Sequence, residues 1–108
     1  MMPKSKWLVL PSVRVFDDVE PSKAQVVKIA EETCEVYSAW EDFNRTRRHG
    51  EDWDMFLENN DAIMYLVDEC CDTIQAVCNL LASLGVTDLT EAMAACRKRN
   101  ADRGRITK

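Results

Sequence analysis

Apolar residues recur along this chain with the period of a helix rather than that of a strand. Val26, Ile29, Ala30, Thr33, Val36, Tyr37, Trp40 and Phe43 follow one another at short helical intervals, mostly of three or four residues, and predict an amphipathic helix opening at Pro21 or Ser22. The pattern fades at "NRTRRHG", a basic, polar stretch ending in Gly50, and "EDWDMFLE" predicts a short helix of its own. A second long helix is expected from Asn60 or Asp61, either of which is a good N-cap. Its main stripe is Ile63, Val67, Cys70, Ile74, Val77, Cys78, Leu81 and Leu84, and Gly85 is a natural stop. After "GVTD", Asp88 and Glu91 have the spacing of a capping box, opening a last helix with the stripe Leu89, Met93 and Cys96. Residues 1–20 read as an extended arm with room for a short strand, and 21–108 as one helical domain. The pattern predicts an all-α bundle with these stripes as its core.

Composition narrows this picture. The 108 residues suffice for one domain with one modest core. Three Gly and three Pro suit helices better than a many-stranded β fold. A net charge of −5 argues against a dedicated nucleic-acid binder, whose footprint is normally basic. The five cysteines, Cys34, Cys70, Cys71, Cys78 and Cys96, are odd in number, contain no CxxC and fall within helical patterns. They read as reduced, core-filling thiols of a cytoplasmic protein rather than as a disulfide or zinc framework. The opening "MMPKSKWLVLPSVRVF" imitates a signal peptide only faintly, because "WLVL" is too short and Pro11 ends it. No segment is long enough to span a membrane, so a soluble, cytoplasmic protein is expected.

The candidate chemistry lies in two acidic clusters, "EETCE" in the first helix and "DECCD" in the long one. Glu32 and Glu35 are three residues apart, as are Glu69 and Asp72, so each pair projects from one side of its helix. Packed side by side, the two helices could bring four carboxylates to one point. Uncompensated, these would repel each other and be costly to desolvate, and a hard divalent cation removes the conflict. Mg²⁺ takes oxygen ligands of this kind and keeps positions open for water and phosphate, which suggests phosphate chemistry. The alternative is a solvated face. Glu69 and Asp72 lie opposite the strongest apolar stripe, acidic pairs at this spacing are common, and periodicity alone favours solvation.

Two features favour a site. Asn79 lies two turns beyond Asp72 on the same face, where it could bind a ligand or orient a carboxylate. The last stripe continues into Asn100 and Arg103, and polar residues on an inward stripe are expensive unless they bind something. An arginine there could reach a phosphate. The tail "RKRNADRGRITK", with Arg97, Lys98 and Arg105, has a bland account as cations favoured at a helix C-terminus. Di-iron carboxylate bundles use Glu-x-x-His pairs, and the single histidine, His49, sits in the basic stretch. No GxSxG, Walker A or GxGxxG pattern occurs.

With "KIAEETCEV" and "DECCDTIQAVCNLL", the chain resembles the MazG-like all-α nucleoside triphosphate pyrophosphohydrolases. That family carries E-x-x-E on one helix, E-x-x-D on the next and an Asn seven residues after the Asp. Glu32, Glu35, Glu69, Asp72 and Asn79 match in order, and "ACRKRNADRGRI" is similar to the tail of small phage or prophage members. The resemblance spans most of residues 23–105. It implies a helical bundle completed by dimerisation, as a homodimer or homotetramer, and Mg²⁺-dependent hydrolysis of a nucleoside triphosphate to the monophosphate and pyrophosphate. Glu32, Glu35, Glu69 and Asp72 would hold Mg²⁺, and Glu32 or Glu35 would align or deprotonate water. Asn79, Lys98, Asn100 and Arg103 would contact the substrate.

Two departures stand out. The 33 residues between Glu35 and Glu69 exceed the usual separation. Ala76 stands where some members place an aromatic to stack on the base, which leaves Trp40, Phe43 or Trp53 as candidates. Two rivals to the enzyme are a non-catalytic helical interaction or regulatory module and, disfavoured by the acidic total, a nucleic-acid accessory protein. The module would tolerate Gln or Asn at the four acidic positions. The accessory protein would bind with steep salt dependence.

Overall fold

The computed structural model describes residues 6–46 and 62–107, which hold three helices and no strand. These are α1 (Lys23–Arg45), α2 (Ile63–Ser83) and α3 (Thr90–Asp102). The expected all-α class is thus observed. The expected short strand in the arm is not, since residues 6–16 run without strand pairing. "EDWDMFLE", the predicted caps Asn60 and Asp61, Trp53 and His49 lie outside the described residues.

Local chemistry sets the helix ends. Ser22 is extended at the N-cap position of α1, directly after Pro21. At the end of α2 the Gly85 N–H donates to the Ala82 carbonyl at 3.0 Å and the Val86 N–H to the Leu81 carbonyl at 3.0 Å. This Schellman closure requires a left-handed residue, and Gly85 supplies it with φ 86°. α3 closes in the same way, with Gly104 at φ 74°. Of the predicted capping box, the Asp88 half forms: its Oδ1 accepts from the Thr90 hydroxyl at 2.6 Å and the Thr90 N–H at 2.8 Å. Those bonds favour the ionised carboxyl, the hydroxyl most, and hold the Asp88 pKa below its ordinary value. No hydrogen bond from Glu91 completes the box among the described residues.

The extensive helix–helix contact among the described residues is α1 against α2. The buried or half-buried line on α1 is Gln25, Ile29, Glu32, Val36, Ala39 and Phe43, alternating steps of four and three. On α2 it is Leu66, Glu69, Thr73, Ala76 and Leu80, in the same rhythm. Two such lines mesh as a coiled-coil-like seam. Ala39, Phe43 and Ala76 are its fully buried apolar members.

This packing corrects the expected core. The strong stripe of α2 does not face α1: Val67, Cys70, Ile74 and Leu84 are exposed in the single chain, while Val77, Cys78 and Leu81 are half-buried. The weaker, acidic side of α2 meets α1 instead. The cysteines expected to fill the core do not, since Cys34, Cys70 and Cys71 are exposed and Cys78 and Cys96 half-buried. The stripe of α3 is not inward either, with Leu89, Met93 and Arg103 exposed.

The arm is anchored to this pair of helices. The Phe16 N–H donates to Asn79 Oδ1 at 3.1 Å, and Gln75 Nε2 lies 3.0 Å from both the Arg14 carbonyl and Asn79 Oδ1. No helix among the described residues is long and apolar enough to cross a membrane.

Candidate carboxylate site

Glu32 and Glu69 occupy inward positions of the α1–α2 seam, and Glu35 lies one turn beyond Glu32. One oxygen from each of the three lies within 4.8 Å of the others. Glu32 is 7% exposed, Glu69 half-buried and Glu35 exposed, so the cluster opens to solvent on one side. Glu32 Oε2 and Glu69 Oε2 are both buried without a hydrogen-bond partner. A buried carboxylate oxygen with no partner is costly, and it is the state expected of a group whose partner is an ion.

Lys28 stands one turn before Glu32, its Nζ 2.9 Å from Glu32 Oε1. The ammonium holds the Glu32 carboxyl below its ordinary pKa of 4.5, outweighing the opposing effect of burial. Lys28 is raised in turn by the same contact. Glu35 moves the other way. The adjoining Glu32 carboxylate first, then burial and Glu69, push its carboxyl above 4.5. The negative field reaches Tyr65, whose phenol is raised first by the charge of Glu69. One ammonium therefore compensates one of three carboxylates, and the remaining charge is concentrated at Glu35 and Glu69.

Hard oxygen donors, two of them orphaned, converging from two helices fit a divalent cation such as Mg²⁺. Asp72, one turn beyond Glu69, is exposed and lies outside the three-carboxylate cluster. Asn79 is 7% exposed, and its Oδ1 receives the Phe16 N–H and the Gln75 amide, so it fastens the arm. It also lines a cavity of about 400 Å³ between the arm, α1 and α2. The candidates on α3 are engaged locally: Lys98 with Asp102 at 3.2 Å, and Asn100 with Cys96 and Arg105. Arg103 is exposed at the C-cap. Among the described residues, nothing packs these three onto the carboxylates. Of the aromatic candidates, Phe43 is a core residue at 3% exposure, and Trp40 lies against it with ring centroids 5.5 Å apart.

Sequence pattern missed Lys28 and the arm. The signal for Lys28 was the four-residue spacing to Glu32, which places both on one face. Gln75, four before Asn79, carried the same signal for the arm's anchor.

Comparison of the chain with protein-family models, with curated proteins and with solved structures found no match.

Proposed function

We propose that this chain is a Mg²⁺-dependent nucleoside triphosphate pyrophosphohydrolase. The observation that carries the proposal is the convergence of Glu32, Glu35 and Glu69 from two helices, with two buried oxygens lacking partners, beside a cavity of about 400 Å³. The ordered match of acidic motifs to the MazG-like pattern supports the same function. Glu32, Glu35 and Glu69 would hold the cation, with Asp72 able to contribute through an outer ligand or a rotamer change. When bound, Mg²⁺ would offset the carboxylate charge and that of the phosphates. Glu35 has the exposed and least compensated carboxylate, which makes it the candidate to align water for attack on the α-phosphorus. Pyrophosphate would leave and the nucleoside monophosphate remain.

Assembly with a second copy belongs to the same proposal. Val67 and Ile74, on the side of α2 away from α1, are exposed apolar residues. A second copy placed there would complete the bundle and could bring Lys98, Asn100 and Arg103 of α3 to its neighbour's site.

The test is pyrophosphate release from a panel of standard and modified nucleoside triphosphates, with and without Mg²⁺. Wild-type protein should release pyrophosphate only with the cation, and Glu69→Gln should lower the rate by about a hundredfold or more. Equal activity in wild type and Glu69→Gln, or no release from any nucleotide by folded protein, would favour the interaction module.

A further inference from the structure

Building on the function proposed above, we infer that the cavity between the arm, α1 and α2 seats the nucleotide, and that Lys28 binds its phosphate chain. At about 400 Å³ the cavity falls within the range of small-molecule sites. Phe16 and Val19 of the arm, Ala24 of α1 and Ala76 of α2 give it apolar walls suited to a flat ring. The arm wall is built in, because Asn79 and Gln75 hold it through the Phe16 N–H and the Arg14 carbonyl. Gln25 lines the same space. Its Nε2 donates to the Glu20 carbonyl, which fixes the amide orientation and leaves a buried Oε1 without a protein partner.

Lys28 joins this cavity to the carboxylate cluster. It lines the cavity while its ammonium pairs with Glu32. It is also the one cation among the described lining residues, which include the carboxylates of Asp18 and Glu20. A phosphate chain entering here meets acidic groups on both sides and requires positive charge at the junction. A divalent cation on the cluster competes with the ammonium for Glu32. The freed Lys28, 58% exposed on a flexible four-carbon stem, offers three donors to phosphate oxygens. Lys28 thus occupies part of the cation site until metal and nucleotide arrive together.

Calorimetry on the full chain separates these roles, using a non-hydrolysable α,β-methylene nucleoside triphosphate with Mg²⁺, inorganic pyrophosphate with Mg²⁺, and Mg²⁺ alone. Lys28→Met should weaken the analogue and pyrophosphate by at least about tenfold, and Lys28→Arg should restore part of the loss. Mg²⁺ alone should bind Lys28→Met as tightly as wild type or more tightly, because no ammonium competes. Phe16→Ala should weaken the analogue but not pyrophosphate. Thermal melts confirm that each variant is folded. Unchanged analogue binding by Lys28→Met, or a loss of Mg²⁺ affinity in that variant, would overturn the site while leaving the proposed function standing. Failure of wild-type protein to bind any nucleotide would overturn both.

Discussion

Glu35 bears the electrostatic cost of the carboxylate cluster. Lys28 compensates Glu32, whereas Glu35 faces both Glu32 and Glu69 and has its pKa raised. The consequences for stability have opposite signs on the two sides of 4.5, the ordinary value for both groups. Glu35 favours its protonated form in the folded chain, so its stabilising contribution is complete below 4.5 and is lost as pH rises through its raised folded pKa. Glu32 is lowered, so its contribution is present above 4.5 and is lost as pH falls through its folded pKa. Without divalent cations, Glu35→Gln should therefore melt higher than wild type at neutral pH, and the difference should shrink as pH falls toward 4.5. Added Mg²⁺ should raise the melting temperature of wild type more than that of Glu35→Gln. Melting curves across pH, in chelator and in Mg²⁺, measure both effects. A variant that melts lower than wild type at neutral pH in chelator would show that the three carboxylates do not repel.

At the scale of the elements, α1 and α2 are held by a thin seam. No large side chain among the described residues reaches complete burial, and Phe43, beside Ala39 and against Trp40, is the largest apolar group in the contact. Phe43→Ala should destabilise the chain by about 3–5 kcal/mol, the range for removing a buried aromatic ring. Denaturant unfolding should show the midpoint collapse, whereas Asp72→Asn, on an exposed position, should leave it within about 0.5 kcal/mol.

Much at this scale could be read from the residues. Pro21 and Ser22 before α1, Gly85 after α2 and Asp88 before α3 act through their own backbone or the next two residues, so the helix ends follow from local chemistry. Which face of α2 turns inward could not be read the same way. Glu69 and Thr73 count as polar in any periodicity, yet they share the inward line with Leu66, Ala76 and Leu80. Small and polar residues line the seam because it contains a charged layer as well as a core.

For the whole molecule, the central fact is the apolar surface left open. Trp7, Leu8, Val9 and Leu10 of the arm are exposed, as are Val67 and Ile74 of α2, its C-cap residue Leu84 and Met93 of α3. An amphipathic helix with apolar residues on two sides belongs in the middle of a bundle, not at its edge. Ile74→Glu combined with Val67→Glu should convert a dimeric or tetrameric wild type to monomer, read by sedimentation at several concentrations. The substituted positions lie outside the carboxylate cluster, so Mg²⁺ binding by any folded monomer reports whether the cluster forms without a neighbour. A wild type that sediments as a monomer at every concentration would remove the assembly from the proposal.

The residues alone determined that the chain is helical, that α2 stops at Gly85, and that acidic pairs recur on two helices, because each of these depends on neighbours within about one turn. Tertiary structure decided what periodicity could not. It set Glu32, Glu35 and Glu69 together and left Asp72 outside. It drew Lys28 and the arm to the same place, and left Val67, Cys70 and Ile74 of the strongest apolar stripe exposed. The physical reason is that a helix face is chosen by the sum of everything packed against it. A carboxylate turns inward when enough partners across the seam, or an ion between them, offset its desolvation.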